Sequence, residues 1–466
     1  MKIKIKFEPL LLIIVAIILF FLFLHKIDYT ALSSYDEAWY ADITRNLVSS
    51  GNPFSLVFNG AIFTDHPPFG FMLMAIPTII FGSNEFSARL TSAVLGVGTI
   101  LVIYLLGKKL NGKIVGISAA LILLSSMWFV LRVRSGNLDI SFLFFEVLTV
   151  YLLLNENKNT IYLATISFAA LILTKTLVGF GLLPVAIYII FFKRKKFNKN
   201  ILLKAFILFL LCVLPWYIYN QSHNPGFLYH HFFEIGTRSL ENNFTLKALS
   251  SGLKYLAIGI GKWYKIFLVS ISFGLISYIF QKKQRFNIAL LFLWLIGFSI
   301  FLISNKTEIW HLLPLYPVIA LIIPLSLDLT ANFLKYKQPY VRILILTAIF
   351  LLAAYQFNQF YNLMYFDKQV YSAERDISIK AKNYNSLHIM ETFYPAAVYY
   401  SQKKIDPLYW NPNAYQIMIK QLSSTTDVFI INESFRSKLE NDGISFDILD
   451  KNDSYYLISG RKQVSN

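Results

Sequence analysis

Apolar runs of about 15–25 residues, repeated along nearly the whole chain, constrain its fold more than any other feature. At 1.5 Å per residue, a helix of that length crosses a hydrocarbon layer of about 30 Å. In lipid every backbone N–H and C=O must be bonded within the protein, and only helices and closed barrels meet that demand. Of the 466 residues, 56% are hydrophobic and only 15% are charged, whereas a soluble domain carries about 25% charged residues. The chain reads as a polytopic α-helical membrane protein with about eleven transmembrane helices. They are expected near Pro9–Leu24, Phe86–Leu106, Ile114–Leu131, Ile140–Leu154, Ile161–Thr174, Leu177–Phe192, Ile201–Tyr219, Leu253–Phe280, Ile288–Ser304, Ile309–Leu329 and Ile343–Phe360. The run Phe69–Phe81 is too short to span comfortably and reads as a re-entrant or interfacial helix.

The net charge of +17 does not point to nucleic acid, because lysine and arginine gather in short loops. Those loops contain Lys108, Lys109 and Lys113, then Lys193–Lys196 and Lys199, then Lys282, Lys283 and Arg285, then Lys335, Lys337 and Arg342. The positive-inside rule puts them, with the basic N-terminus, in the cytoplasm. It places loops 27–85 and 220–252, and everything after about residue 361, outside. Met1–Lys6 followed by an uninterrupted apolar helix resembles an uncleaved signal anchor. The lone cysteine, Cys212, excludes an intramolecular disulfide and a cysteine metal site.

Residues 1–365 therefore read as the membrane domain and 366–466 as a small extracytoplasmic α/β domain. Short alternating apolar stretches at Leu387–Met390, Asp427–Ile431, Ser445–Leu449 and Tyr455–Ile458 suggest strands there. Ala414–Gln421 and Ser434–Asn441 suggest helices. No metal motif, glycine-rich loop or nucleophile elbow is present in it. Its expected role is to cover or orient a site elsewhere.

Ionisable groups cluster where spans meet the outer face. Asp36 and Glu37 begin an amphipathic helix on which Tyr35, Trp39, Ile43 and Leu47 share a face. The bland reading is a helix capped by Ser33, Ser34 or Asp36; the functional one is a general base on an acceptor group. Asp65–His66–Pro67–Pro68 presents a carboxylate and an imidazole on a stiff backbone, able to hold a phosphate oxygen or a divalent cation. Asp139 opens the fourth span, with Arg134 its nearest partner in sequence. Lys175 reads as a snorkelling lysine. His230, His231 and Glu234 form a weak metal candidate. Lys306, Glu308, Trp310 and His311 gather before the tenth span, placed for a lipid phosphate, although an interfacial belt accounts for Trp310. Arg132, Arg134 and Arg238 are candidates for steering an acidic acceptor. A transporter would place such groups nearer the bilayer midplane.

The order of these features resembles a known family. Asp36-Glu37-Ala38-Trp39-Tyr40-Ala41 is similar to an Asp-Glu-Ala-x-Tyr-Ala motif, and Asp65-His66-Pro67-Pro68 to an acidic–Lys/His–Pro-Pro element. Leu138-Asp139, Thr174-Lys175 and Lys306 followed by His311-Leu312-Leu313-Pro314 match further elements. The family is the GT-C glycosyltransferase superfamily, in the branch of dolichyl-phosphate-mannose protein mannosyltransferases and bacterial aminoarabinose transferases acting on lipid A. The resemblance covers roughly residues 1–365.

It implies a glycosyltransferase moving a sugar from a polyprenyl-monophosphate carrier to a lipid, protein or glycan acceptor, with inversion. Asp36 would be the general base, with Glu37, Asp139 and Lys175 in support. His66 stands where members often have lysine and, with Lys306, His311 and Arg134, would bind the donor phosphate. Asp65 stands where some members bind a divalent metal, with His230 and His231 as candidate co-ligands. Members carry a histidine after the glutamate equivalent to Glu234, and here that residue is Ile235. A bacterial inner membrane is the expected location. The rival reading is a flippase for lipid-linked sugars; a second is an oligosaccharyltransferase using a diphosphate carrier.

Overall fold

The computed structural model describes residues 7–155, 157, 159–193, 197–235, 245–304, 306–333, 338–364, 372–424 and 426–460. The basic N-terminus, the 194–196 run, Lys335, Lys337 and Arg238 lie outside the described residues. The chain divides into two compact units. One comprises Met1–His25, Thr64–Gly70 and Leu90–Tyr365; the other comprises Lys26–Phe63, Phe71–Arg89 and Phe366–Asn466.

The first unit is helical. Among the described residues, six helices are long and apolar enough to cross a membrane, from Glu85–Asn111 to Pro339–Met364. A seventh span counts if Lys113–Leu124 and Met127–Val133, which meet at a 73° bend, are taken together. The expectation of about eleven is not reached on these criteria. The runs at Pro9–Leu24, Ile161–Thr174 and Leu177–Phe192 form shorter apolar helices, Glu8–Leu24, Thr160–Ile172 and Thr176–Phe192. The single span expected at Leu253–Phe280 is two helices, Leu246–Ile260 and Trp263–Phe280.

The break falls at Gly261, whose φ of +65° is costly for any residue with a Cβ. A broken helix in an apolar unit leaves backbone groups without partners, and one side chain supplies them. Gln356, buried on helix Gln338–Met364, accepts from Lys262 N at 2.7 Å and donates to Ile260 O at 2.9 Å. The same amide donates to Ser125 O at 2.6 Å, at the bend before Met127–Val133. Trp263 Nε1 closes on Ser125 Oγ at 2.9 Å. One glutamine thus satisfies two helix breaks, and the second of these aims the helix that carries Arg132.

The second unit combines a helix, Asp36–Ser50, with two sheets. A short hairpin pairs β1 (Val57–Phe58) with β2 (Ala61–Ile62). Residues 387–460 contain β3 (Leu387–Ile389), β4 (Ile405–Pro407), β5 (Val428–Asn432), β6 (Phe446–Lys451) and β7 (Tyr455–Gly460), in the order β4-β3-β5-β7-β6. β3 runs parallel to β4 and β5, and β7 is antiparallel to β5 and β6. The expected strands are all present; β4 was not foreseen, because its three residues end in proline. Helices Ala414–Ser424 and Glu433–Asn441 cover a core of Met418, Leu422, Phe429, Leu439 and Ile458.

Helix Tyr394–Ser401 ties this sheet to the rest of its unit. Tyr400 OH accepts from Leu32 N at 2.7 Å and donates to Glu85 Oε1 at 3.0 Å. Arg45 donates to Tyr399 O at 2.7 Å, and Asn59 Nδ2 to Tyr394 OH at 2.6 Å.

Replacing Gln356 by leucine, which keeps the volume and removes the amide, should strand the Lys262 N–H and the Ser125 and Ile260 carbonyls. The expected cost is about 1–3 kcal/mol per stranded group, read as a lowered unfolding midpoint of the detergent-solubilised protein. A midpoint equal to the wild type would show that other groups satisfy both breaks.

Candidate active site

Asp139 opens helix Asp139–Leu153 and is only 5% exposed. Its carboxylate meets two cations: Oδ2 accepts from the Arg132 guanidinium and Oδ1 from the Lys175 ammonium. Buried Asn137 makes this meeting possible. Its amide donates to Arg132 O at 2.6 Å and Ser135 O at 2.8 Å, while Oδ1 accepts from Ile140 N at 3.1 Å. The 132–138 turn is folded back on itself and the helix capped by one residue. Lys175 is in extended conformation and stands at the N-cap of the short helix Thr176–Gly179. Two cations face one carboxylate, which leaves one surplus positive charge.

Three expectations change here. Asp139 pairs with Arg132 and Lys175 rather than Arg134. Arg134 donates to Phe23 O at 2.6 Å and Met364 O at 3.1 Å, clasping the ends of two helices, where a cation suits the terminal carbonyls. Lys175 does not snorkel; an unpaired buried carboxylate would be costly, and Asp139 draws it in. Arg132 is buried against Asp139 and 5.7 Å from the Trp310 ring, and so is unavailable for steering an acceptor.

His66 joins this cluster. Phe69 N donates to Leu173 O at 3.0 Å, which anchors the Asp65–Pro68 turn beside Thr174 and Lys175. Gly70 permits the approach: a Cβ there would meet Leu138 Cδ2 at 2.6 Å and Thr174 Cγ2 at 3.3 Å. Burial and then the positive charge of Lys175 push the His66 imidazole down to about 3, so it is neutral at pH 7.

His231 is 2% exposed and spans two partners. Nδ1 donates to Thr64 O at 2.9 Å, and Nε2 accepts from the Thr176 hydroxyl at 2.8 Å. Thr176 in turn accepts from Tyr217 OH at 2.9 Å. The chain Tyr217–Thr176–His231–Thr64 fixes the ring in one tautomer and pins the backbone just before Asp65. Burial lowers the His231 pKa, consistent with a neutral ring.

His230 points elsewhere. Nδ1 lies 2.5 Å from Glu234 Oε2 and Nε2 lies 3.5 Å from Asp65 Oδ1. Glu234, and then Asp65, raise its pKa. The set Asp65, His230 and His231 does not fit a metal: both His231 nitrogens are engaged and His230 bridges the two carboxylates. Among the described residues, no three His, Cys, Asp or Glu side chains converge as metal ligands.

His311 lies on the short turn Ile309–Leu312, where Nδ1 accepts from Glu308 N at 3.1 Å. That contact leaves the ring proton on Nε2. A cavity of about 30 Å³ is lined by Asp139, Lys175, Trp310 and His311, room for about one water. Lys306 is exposed on the loop before this turn. Beyond Tyr217 lies an apolar groove of about 550 Å³, lined by residues including Ile172, Phe180, Phe209, Leu214 and Phe232.

Asp36 and Glu37 belong to the second unit, where Asp36 is the first residue of its helix. None of the expected cap side chains is used; Tyr35 occupies the cap position without a side-chain bond. Glu37 is buried and bidentate with Arg89, at 2.8 Å and 3.0 Å, and also accepts from Ser33 N at 2.9 Å. Arg89 continues to Ile27 O, Thr30 O and Ala31 O. The pair therefore fixes the segment that leads into Asp36. Sequence reasoning missed Arg89, although an arginine inside an expected span is itself a signal. It also missed Thr64, Thr176 and Tyr217, for which no sequence signal exists.

The family model for dolichyl-phosphate-mannose-protein mannosyltransferases matches residues 65–219. An uncharacterized protein of Aquifex aeolicus is 28% identical over 352 residues, covering 73% of this chain and 66% of that one. The undecaprenyl phosphate-alpha-4-amino-4-deoxy-L-arabinose arabinosyl transferase of Shewanella sediminis is 28% identical over 239 residues. This chain spans 43% of that relative's length, and 48% of its own is matched. The crystal structure of ArnT from Cupriavidus metallidurans bound to undecaprenyl phosphate superposes with a TM-score of 0.76 at 15% identity, over 99% of this chain and 100% of that one. At that identity the likeness shows the fold alone.

The His230 clasp predicts a pH dependence. Its folded pKa is raised above the unfolded value of about 6.5, so its stabilisation is complete below that value. It is lost as pH rises through the raised folded pKa. The unfolding midpoint should fall modestly across that window, and His230→Gln should flatten the slope. An identical slope in the variant would exclude His230 as its source.

Proposed function

We propose that the chain is a glycosyltransferase of the GT-C superfamily, in the branch of protein mannosyltransferases and aminoarabinose transferases to which its sequence is similar, and that it carries out a specific reaction. It transfers a sugar from a polyprenyl-monophosphate carrier to an acceptor hydroxyl or phosphate at the extracytoplasmic face, inverting the anomeric centre. The observation that carries this reading is the surplus positive charge of the Arg132–Asp139–Lys175 triad, with His66 and His311 around it.

The chemistry follows from the charges. The donor is a phosphodiester with one negative charge. When its C1–O bond breaks, the electron pair leaves with the phosphate, which becomes a monoester and gains a second charge. Fixed cations at the phosphate favour that change more than they favour the ground state. Lys175 and Arg132 supply the field, and His311 can donate from Nε2 to a phosphate oxygen. His66, a neutral imidazole, offers a hydrogen bond in place of the lysine that the resembling motif often carries. Lys306, exposed on the adjoining loop, is the cation for the entering headgroup. The apolar groove beyond Tyr217 suits several isoprene units, since its volume is that of a ligand pocket. The acceptor attacks C1 from the opposite face, and its proton passes to the Asp36 carboxylate. The positive-inside asymmetry supports a cytoplasmic N-terminus and a site on the outer face. No observation favours a flippase.

The test uses purified protein and a labelled polyprenyl-phosphate sugar. Asp36→Asn should lower transfer by about 100-fold or more while leaving the unfolding midpoint unchanged. Transfer at the wild-type rate would remove Asp36 from the role of base. Movement of intact donor across a bilayer by the wild type, with no polyprenyl phosphate released, would overturn the transfer reading.

A further inference from the structure

Helix Leu246–Ile260 has two faces that differ in kind. Thr245 opens it, its hydroxyl accepting from Ala248 N at 3.1 Å. One face is packed on protein: Ala248, Gly252, Leu256, Gly259 and Ile260 are buried at helical spacing. The fit leaves no room for larger side chains. A Cβ at Gly252 would run into Leu302 O, and one at Gly259 into the Tyr316 hydroxyl, with Ile309 Cγ1 at 3.7 Å. The helix is thereby seated on the segment that carries the His311 turn, Ile309–Leu312.

The opposite face is polar and open. Lys247, Ser250, Ser251 and Lys254 recur at positions i, i+3, i+4 and i+7, and all are exposed. The two lysines stand about 10 Å apart along the axis, with two hydroxyls between them. Leu246, beside Lys247, is 87% exposed. Beyond the break at Gly261 come Lys262 and Lys265, both exposed. Among the described residues none of these four ammonium groups meets a hydrogen-bond or ion-pair partner. Residues 245–280 contain no aspartate or glutamate, so the charge of the row is unopposed along its own elements.

Helix Trp263–Phe280 fixes the depth of this row. After Lys265 it exposes Leu268, Val269, Leu275, Ile276, Ile279 and Phe280 and carries no further charge. From Lys265 to Lys282 is about 25 Å at helical rise, near the thickness of a hydrocarbon layer. An apolar surface bounded by lysines at that distance lies in lipid, and Lys265 marks the headgroup level. Helix Leu246–Ile260 departs from that level, at the end opposite Lys282 and Lys283. The positive-inside rule disfavours lysine there, whereas a basic face with an exposed leucine at its edge suits an anionic membrane surface.

We propose that the exposed face of helix Leu246–Ile260, continued by Lys262 and Lys265, docks on the headgroups of anionic phospholipids at the end of the helical unit that carries the His311 turn. Lys247 and Lys254 take the lipid phosphates, Ser250 and Ser251 donate hydrogen bonds to them, and Leu246 enters the acyl boundary. Through Gly252 and Gly259 the docked helix then holds the Ile309–Leu312 turn at headgroup depth. This claim goes beyond the transfer reading and does not need it.

The test places the full-length protein in nanodiscs of phosphatidylcholine alone, or of equal parts phosphatidylcholine and phosphatidylglycerol. Both faces of a nanodisc are open to a water-soluble acylating reagent, and mass spectrometry reads the modification rate of each lysine relative to Lys420, which is exposed in the other unit. Lys247 and Lys254 should react about fivefold more slowly in the anionic discs, and high salt should remove the difference. S250E/S251E, which sets two carboxylates between the lysines, should abolish the difference between discs; S250A/S251A should keep most of it. Both serines are exposed, so both variants should unfold at the wild-type midpoint. Equal rates for Lys247 and Lys254 in the two kinds of disc would overturn the proposal. So would a difference that persists in S250E/S251E, which would mark a general surface potential. Protection by polyprenyl phosphate added to phosphatidylcholine discs, with none by phosphatidylglycerol, would make the face a donor site and overturn it as well. Sugar transfer is not measured in any arm, so a failure of the transfer reading leaves this result intact.

Discussion

A buried carboxylate held between two cations is the interaction around which the polar cluster of the first unit is built. Asp139 at the mouth of an apolar helix would be strongly unfavourable alone. One cation would neutralise it, and Arg132, seven residues earlier, is enough. Lys175 adds a second that stability does not require, since a buried ion pair is already a poor source of stability. In the proposed reaction this net positive charge is where the donor phosphate binds. The geometry around it serves that end: Gln356 fixes the bend before Arg132, Asn137 folds the turn to Asp139, and Gly70 lets the His66 turn press against Leu138 and Thr174.

The second unit solves a different problem, that of holding a carboxylate still at the start of a helix. Glu37 does not share the chemistry of Asp36; it is consumed by Arg89, whose guanidinium also gathers three carbonyls of the 27–31 segment. The tyrosines of Tyr394–Ser401 then tie that segment and its helix to the sheet of residues 387–460. The C-terminal segment is thus held to the Asp36 helix and to Asn59 by side-chain hydrogen bonds.

What could be read from the sequence follows from what carries a signal in one dimension. Apolar runs, basic loops, the Asp36 and Asp65–His66 motifs and the period-two strands of the C-terminal segment each depend on neighbours within a few residues, and each was legible. The break at Gly261 was not, because hydropathy is blind to a glycine whose positive φ is supported by Gln356, 95 positions away in the sequence. The partner of Asp139 was misassigned for the same reason. Arg134 is nearer in sequence, yet the Asn137 turn directs Arg132 to the carboxylate and frees Arg134 for two helix ends. The His231 relay joins residues 64, 176, 217 and 231, and nothing local in any of them announces the others.

The departure from the lysine of the related motif at His66 is intelligible in the same field. A permanent cation there would face Lys175 at close range in a desolvated site, adding charge where a surplus already exists. Histidine evades the conflict by giving up its proton; burial first, and the charge of Lys175 second, lower its pKa. A neutral imidazole there is therefore compatible with the proposed phosphate site.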